Sequence, residues 1–198
     1  MTKTVGIFVF DDIEVLDLGG PFEVFSVANR VVTRSGKETP FNVITISSGA
    51  EQITARGNYQ FVPSHTFANA PFVDILIVPG GVVDQECKKT DVVNWIAKTN
   101  EKTELSASVC TGAFLLAEAG LLNGLNVTTH WEDCDDLEHH YPELTVVRNQ
   151  PWVDEGNIVT SAGISAGISM SLHLVQRLIN KETAITVARQ MEYDWQAD

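Results

Sequence analysis

Cys110 is the side chain in this sequence whose neighbours best suit covalent chemistry. Before it, Leu105-Ser-Ala-Ser-Val109 is small or apolar enough to be a buried strand; after it, Ala113 to Ala119 are helix formers stopped by Gly120. The cysteine therefore falls at a strand-to-helix junction. A thiol facing the free N–H groups of a helix start has its anion favoured, so a lowered pKa and a reactive sulfur are expected there. Thr111 and Gly112 add further backbone donors. An ordinary free cysteine is inert core, and the junction sets Cys110 apart from that default.

Three other stretches carry groups of use to such a nucleophile. Glu14 and Asp17 lie in the connection after the first strand, with Glu23 a little further on, and carboxylates there are candidates for proton transfer; isolated, each would be a solvated surface acid. Pro79-Gly80-Gly81 follows the run Ile75 to Val78, and two glycines after a strand let the backbone approach a ligand and point an N–H at it, as an oxyanion site requires. No GxGxxG or Walker lysine accompanies them, so a nucleotide site is unsupported. His130 sits between a short strand, Val127 to Thr129, and an acidic helix, Trp131 to His140, where it serves either the site or the local helix start. Asp135 with His139 and Asp136 with His140 have metal-gripping spacing, but two ligands are too few and no metal is expected. His65 and His173 have no partners in sequence.

The elements that must position these groups alternate. Thr4 to Phe10, Phe41 to Ile46, Ile75 to Val78 and Leu105 to Val109 read as core strands, and helices are expected from Pro21 to about Val32, over Asp91 to Asn100, and after the cysteine. Gln52 to Val62, centred on Arg56-Gly57-Asn58, reads as a hairpin decorating the main sheet. Late strands, Thr145 to Arg148 and Trp152 to Thr160 with a bend at 155–157, lead to the small-residue segment Ser161 to Ser169. That segment opens a helix ending near Asn180, and a last helix runs from about Glu182 to Tyr193. The pattern is an α/β fold with a mostly parallel central sheet and helices on both faces, in one domain over residues 1–198.

The totals agree. With 44% hydrophobic residues and a mean hydropathy near zero, the chain is an ordinary globule, and no stretch is apolar for long enough to cross a membrane. A cytoplasmic location is expected. The net charge of −13 argues against nucleic acid as a partner, which would need clustered Lys and Arg. Cys87, Cys110 and Cys134 are odd in number and lack CxxC spacing, so the thiols should be free.

Taken together, Asp17 before Gly-Gly-Pro, Ile77-Val-Pro-Gly-Gly81, Ser108-Val-Cys-Thr-Gly112 and Thr128-Thr-His-Trp131 resemble the ThiJ/PfpI superfamily, of flavodoxin-like, class I glutamine amidotransferase-like fold, along nearly the whole chain. The elbow, the run from Ala119 to Gly124 and the Thr-Thr-His-Trp motif look most like isonitrile hydratase and the ligand domains of AraC-type regulators. The resemblance implies Cys110 as nucleophile, Asp17 as the acid that hydrogen-bonds it and moves protons, and the N–H groups of Gly81 and Thr111 as the anion-stabilising pair. It also implies a homodimer, no cofactor, and a small-molecule substrate.

Three readings follow from it. The first is hydration of an organic isocyanide to an N-substituted formamide. The second is a glyoxalase or deglycase, for which His130, twenty residues beyond Cys110, is the base, although such enzymes use glutamate where this chain has Asp17. The third is a non-enzymatic ligand-binding or redox-sensing module; regulators of this type append a basic helix-turn-helix domain, and none is expected after Asp198. Thr111 replaces the histidine of protease-like members, which counts against peptide hydrolysis. Gly19 and Ser169 depart from the hydratase pattern, which has threonine and aspartate there, and the hydratases' C-terminal extension is not matched.

Overall fold

A computed structural model describes residues 1–196. Its main sheet is built from β1 (Lys3–Phe8), β2 (Phe41–Ser47), β5 (His65–Thr66), β6 (Ile75–Val78), β7 (Leu105–Val109), β10 (Trp152–Asp154) and β11 (Ile158–Ser161). The strand order is β10-β11-β7-β6-β1-β2-β5, and β10 alone runs antiparallel. Every residue of β6 and β7 is buried, which is why these strands read as unbroken apolar or small runs rather than as alternation. Two small pairs stand apart, β3 (Ile53–Thr54) with β4 (Gln60–Phe61) and β8 (Asn126–Val127) with β9 (Thr145–Val146).

The helices are α1 (Val15–Arg34), α2 (Thr90–Asn100), α3 (Gly112–Glu118), α4 (Cys134–His140), α5 (Ala166–Leu178) and α6 (Lys181–Gln190). α1, α5 and α6 pack on one another, and α2 packs on α3. From β1 the chain crosses through α1 to β2 on one side, and from β6 through α2 to β7 on the other. Because parallel crossovers are right-handed, that reversal puts α1 and α2 on opposite faces of the sheet. The strand order thus reverses between β1 and β6, and the crevice beyond their carboxyl ends is where such sheets bind ligands.

Several boundaries differ from the sequence reading. α1 begins at Val15 rather than at Pro21, which lies inside the helix, so Asp17 occupies the first helical turn instead of a loop. β8 stops at Val127 because the next residues are taken by other partners. Thr128 N–H donates to the Thr160 hydroxyl at 2.8 Å, and the Thr129 hydroxyl donates to the Cys110 carbonyl at 2.8 Å. The acidic helix opens as a 3-10 turn, Trp131–Asp133, before α4, and α6 ends at Gln190. The decorating hairpin is present, closed by a 3-10 turn at Arg56–Asn58.

Candidate active site

The β7–α3 junction is an elbow that few residues would tolerate. Cys110 has φ +56°, a left-handed conformation that costs a non-glycine residue roughly 1 kcal/mol and lifts its side chain out of the strand direction. The turn is held by backbone: Cys110 N–H donates to the Ser161 carbonyl at 3.2 Å, while Thr129 caps the Cys110 carbonyl. Gly112 lets the elbow press on the end of β6, since a Cβ there would stand 2.0 Å from the Val78 carbonyl oxygen. Gly80 is equally confined, its Cβ position lying 2.6 Å from the Thr111 nitrogen.

Asp17 comes to this elbow from α1, and its residue is fully buried. Gly80 N–H donates to its Oδ2 at 3.0 Å. The Cys110 thiol interacts with the same carboxyl and favours its charged form, while Oδ1 is buried with no hydrogen-bond partner. The β1–α1 connection that carries Asp17 is itself tied down: Glu14 N–H donates to the Gly80 carbonyl at 2.9 Å, and Arg56 N–H donates to the Ile13 carbonyl at 3.0 Å.

The electrostatics of this pair correct one expectation. The thiol is not poised as an anion: burial first, then the neighbouring Asp17 carboxylate, pushes Cys110 up to about 12, and the N–H groups of Thr111 and Ile164 only partly offset this. A seven-residue helix start cannot outweigh desolvation beside a second acid. Burial also pushes Asp17 up to about 7, against the hydrogen bond from Gly80. The pair is a buried carboxyl that titrates near neutrality next to a protonated thiol.

The anion-stabilising pair also differs. Gly81 N–H does not face the sulfur but donates to the Thr111 hydroxyl at 2.9 Å, and that hydroxyl donates to the Gly81 carbonyl. Gly81 therefore fixes Thr111, whose own N–H points at the sulfur together with that of Ile164. Ile164 went unnoticed in the sequence; it lies in the small-residue segment at φ +52°, an outlier for a β-branched residue, and no sequence signal marks it.

A cleft of about 230 Å³ opens above Cys110, walled by Thr111, Gly81, Ile164, Glu14, Arg56 and His130. The Arg56 guanidinium stands 3.3 Å from the Glu14 carboxylate at its rim. His130 lies both in the cleft wall and at the local helix start. Its ring lines the cleft and caps the 3-10 turn, with Nδ1 3.4 Å from the Glu132 N–H and 3.2 Å from Asp133 Oδ2. Nδ1 thus accepts from the Glu132 N–H and lies beside the Asp133 carboxylate, and both contacts orient the ring. Gly163 makes room for the ring, since a Cβ would meet its Cδ2 at 2.1 Å.

The remaining candidates lie elsewhere. Glu23 pairs with Arg30 at 2.7 Å on the surface, Asp135 pairs with Arg148 at 2.6 Å, and His173 is held by Asp154 at 2.6 Å. Among the described residues no group of His, Cys, Asp and Glu side chains converges as a metal site, and the three cysteines are free. No helix among them is long and apolar enough to span a membrane.

The fold and site define a class of mostly parallel α/β proteins with a buried cysteine on a strained strand-to-helix elbow beside the switch point, faced by a carboxyl from the first crossover. Residues 3–177 match the model of the DJ-1/PfpI family, and the chain belongs to that family. It is 32% identical over 195 residues to isonitrile hydratase of Pseudomonas putida, covering 98% of this chain and 79% of that protein. It is 29% identical to the transcriptional regulator GbdR of Pseudomonas aeruginosa, covering 97% of this chain but 51% of the regulator, about half its length. A ThiJ/PfpI family protein from Pseudomonas syringae superimposes with a TM-score of 0.85 at 24% identity, covering 100% of this chain and 77% of that one.

Proposed function

We propose that the chain is a cysteine-dependent hydratase that converts an organic isocyanide to an N-substituted formamide, working as one domain. The observation that carries this reading is the meeting of Asp17 and Cys110 in one buried site, with the carboxyl titrating near 7. Similarity to isonitrile hydratase supports it.

In this reading Asp17 acts as an anion that takes the thiol proton while the sulfur attacks the terminal isocyanide carbon. It then returns that proton to the same carbon, giving a thioimidate, R–N=CH–S–Cys110. A general base titrating near 7 makes a resting thiolate unnecessary. Water adds to the thioimidate carbon, and the tetrahedral adduct expels the Cys110 thiol, leaving R–NH–CHO. The Thr111 and Ile164 N–H groups stabilise charge on the sulfur as it ionises; a well-placed donor of this kind is worth about 2.7–4 kcal/mol. Gly81 positions Thr111, and His130, in the cleft wall, is available to hold the attacking water.

The test is conversion of an aryl isocyanide to its formamide by purified protein, with loss of activity in Cys110→Ala. We infer in addition a cytoplasmic homodimer, which sedimentation at micromolar concentration tests. A second reading, a ligand-sensing domain, is favoured by the similarity to GbdR. Specific small-molecule binding in the cleft without turnover would make it the better description.

A further inference from the structure

A second cavity, of about 380 Å³, shares Gly81, Thr111 and Asp133 with the catalytic cleft and runs outward from it between α3 and α4. It is large enough for a small organic group, and Thr111, the residue next to Cys110 in the chain, lines both. A substrate held with its reacting carbon on Cys110 therefore has a place beyond Thr111 for its substituent. Val83 lies in the wall with two aromatic rings, Phe114 and Tyr141, which meet edge to face with centroids 6.2 Å apart.

The rim of this cavity is acidic. Asp84, Glu118 and Asp136 stand around it, opposed by Lys88 and by His140, whose Nδ1 lies 2.7 Å from the Asp136 carbonyl oxygen. Among the described residues none of those three carboxylates is in an ion pair; Glu118 only accepts a hydrogen bond from the Tyr141 hydroxyl at 2.8 Å. Arg148, the arginine that reaches α4, is occupied by Asp135 and Glu138 on that helix, and Lys89 is occupied by Glu86. Aromatic rings in a cavity wall with unpaired carboxylates at its rim are a combination that holds an organic cation, through ring quadrupole and charge together.

We propose that this cavity receives the substrate's substituent and selects one that ends in a protonated or quaternary amine over one that ends in a carboxylate. The placement of the reacting carbon rests on the hydratase reading, whereas the charge preference does not.

The experiment is a titration of the wild-type protein at low ionic strength with benzyltrimethylammonium, benzyl alcohol and benzoate, followed by NMR. The ammonium probe is expected to bind more tightly than benzoate by about tenfold and to shift the Tyr141 and Phe114 ring signals. Asp84→Asn and Asp136→Asn, both outside the catalytic cleft, should each narrow that gap. In parallel, para-trimethylammonium, neutral and para-carboxylate phenyl isocyanides should be hydrated in that order of kcat/KM. Equal binding of the three probes, tighter benzoate, or a preference that survives both variants overturns the proposal, even if isocyanides are hydrated. Ammonium binding without hydration of any isocyanide would leave the cavity assignment standing and sink the hydratase reading alone.

Discussion

Asp17 keeps the Cys110 thiol protonated: the carboxylate of one is a principal reason, after burial, that the other's pKa climbs to about 12. In the proposed hydratase the nucleophile therefore has to be made at the moment of attack, by the same acid that otherwise holds it silent. The predictions below follow from that arrangement and from the packing that enforces it.

Thiol reactivity reports the pair directly. Alkylation of Cys110 by iodoacetamide should rise steadily with pH and show no plateau below about pH 9, because the thiolate fraction keeps growing. Cys87, which burial and Glu118 push up to about 11, should behave alike. Peptide mapping by mass spectrometry over pH 6 to 10 measures both. A plateau for Cys110 near neutrality would mean a standing thiolate.

Stability should respond to Asp17 in a defined window. Its pKa is raised from 3.8 to about 7, so the folded state holds the proton more tightly than the unfolded chain. The neutral acid is free of penalty below about pH 3.8, and the cost of burying the anion grows until pH passes about 7. Asp17→Asn, which cannot ionise, should gain stability relative to wild type between pH 4 and pH 8, by on the order of 4 kcal/mol. Urea denaturation at several pH values checks this, and a difference that does not vary with pH would contradict it.

The elbow's glycines should differ sharply from a glycine in open space. Gly112→Ala places a Cβ 2.0 Å from the Val78 carbonyl oxygen and should cost about 1–3 kcal/mol or more with loss of activity. Gly19→Ala meets nothing within 4 Å inside α1 and should stabilise by about 0.5–1 kcal/mol. Thermal and urea unfolding of the two variants provide the comparison.

His130 separates two chemistries. If it only holds water for the hydratase, His130→Ala should lose less than about a hundredfold in isocyanide hydration, the low end of what general acid–base assistance contributes. A glyoxalase would lose methylglyoxal turnover outright in the same variant. Assaying both substrates with both proteins distinguishes them.

Much of this architecture was legible in the sequence because it is local. Buried parallel strands announce themselves as apolar runs, and the cysteine's position between such a run and a helix follows from the composition of residues 105–119 alone. Pairings made across the chain were not legible. That Gly81 turns its N–H to Thr111, and that Ile164 supplies the second donor to the sulfur, depends on how the segment after β11 crosses the elbow. The start of α1 was misplaced because Pro21 reads as a first-turn residue, while α1 tolerates it inside on the buried face. The thiol's raised pKa is not legible either, since a helix N-terminus is visible in sequence and desolvation is not.

The most direct measurement is a single-turnover reaction of the protein with an aryl isocyanide, acid-quenched and mapped by mass spectrometry. The account predicts an adduct of one isocyanide mass on the peptide bearing Cys110, formed before the formamide is released. Formamide produced at an undiminished rate by Cys110→Ala, with no adduct on the wild-type sulfur, would contradict it.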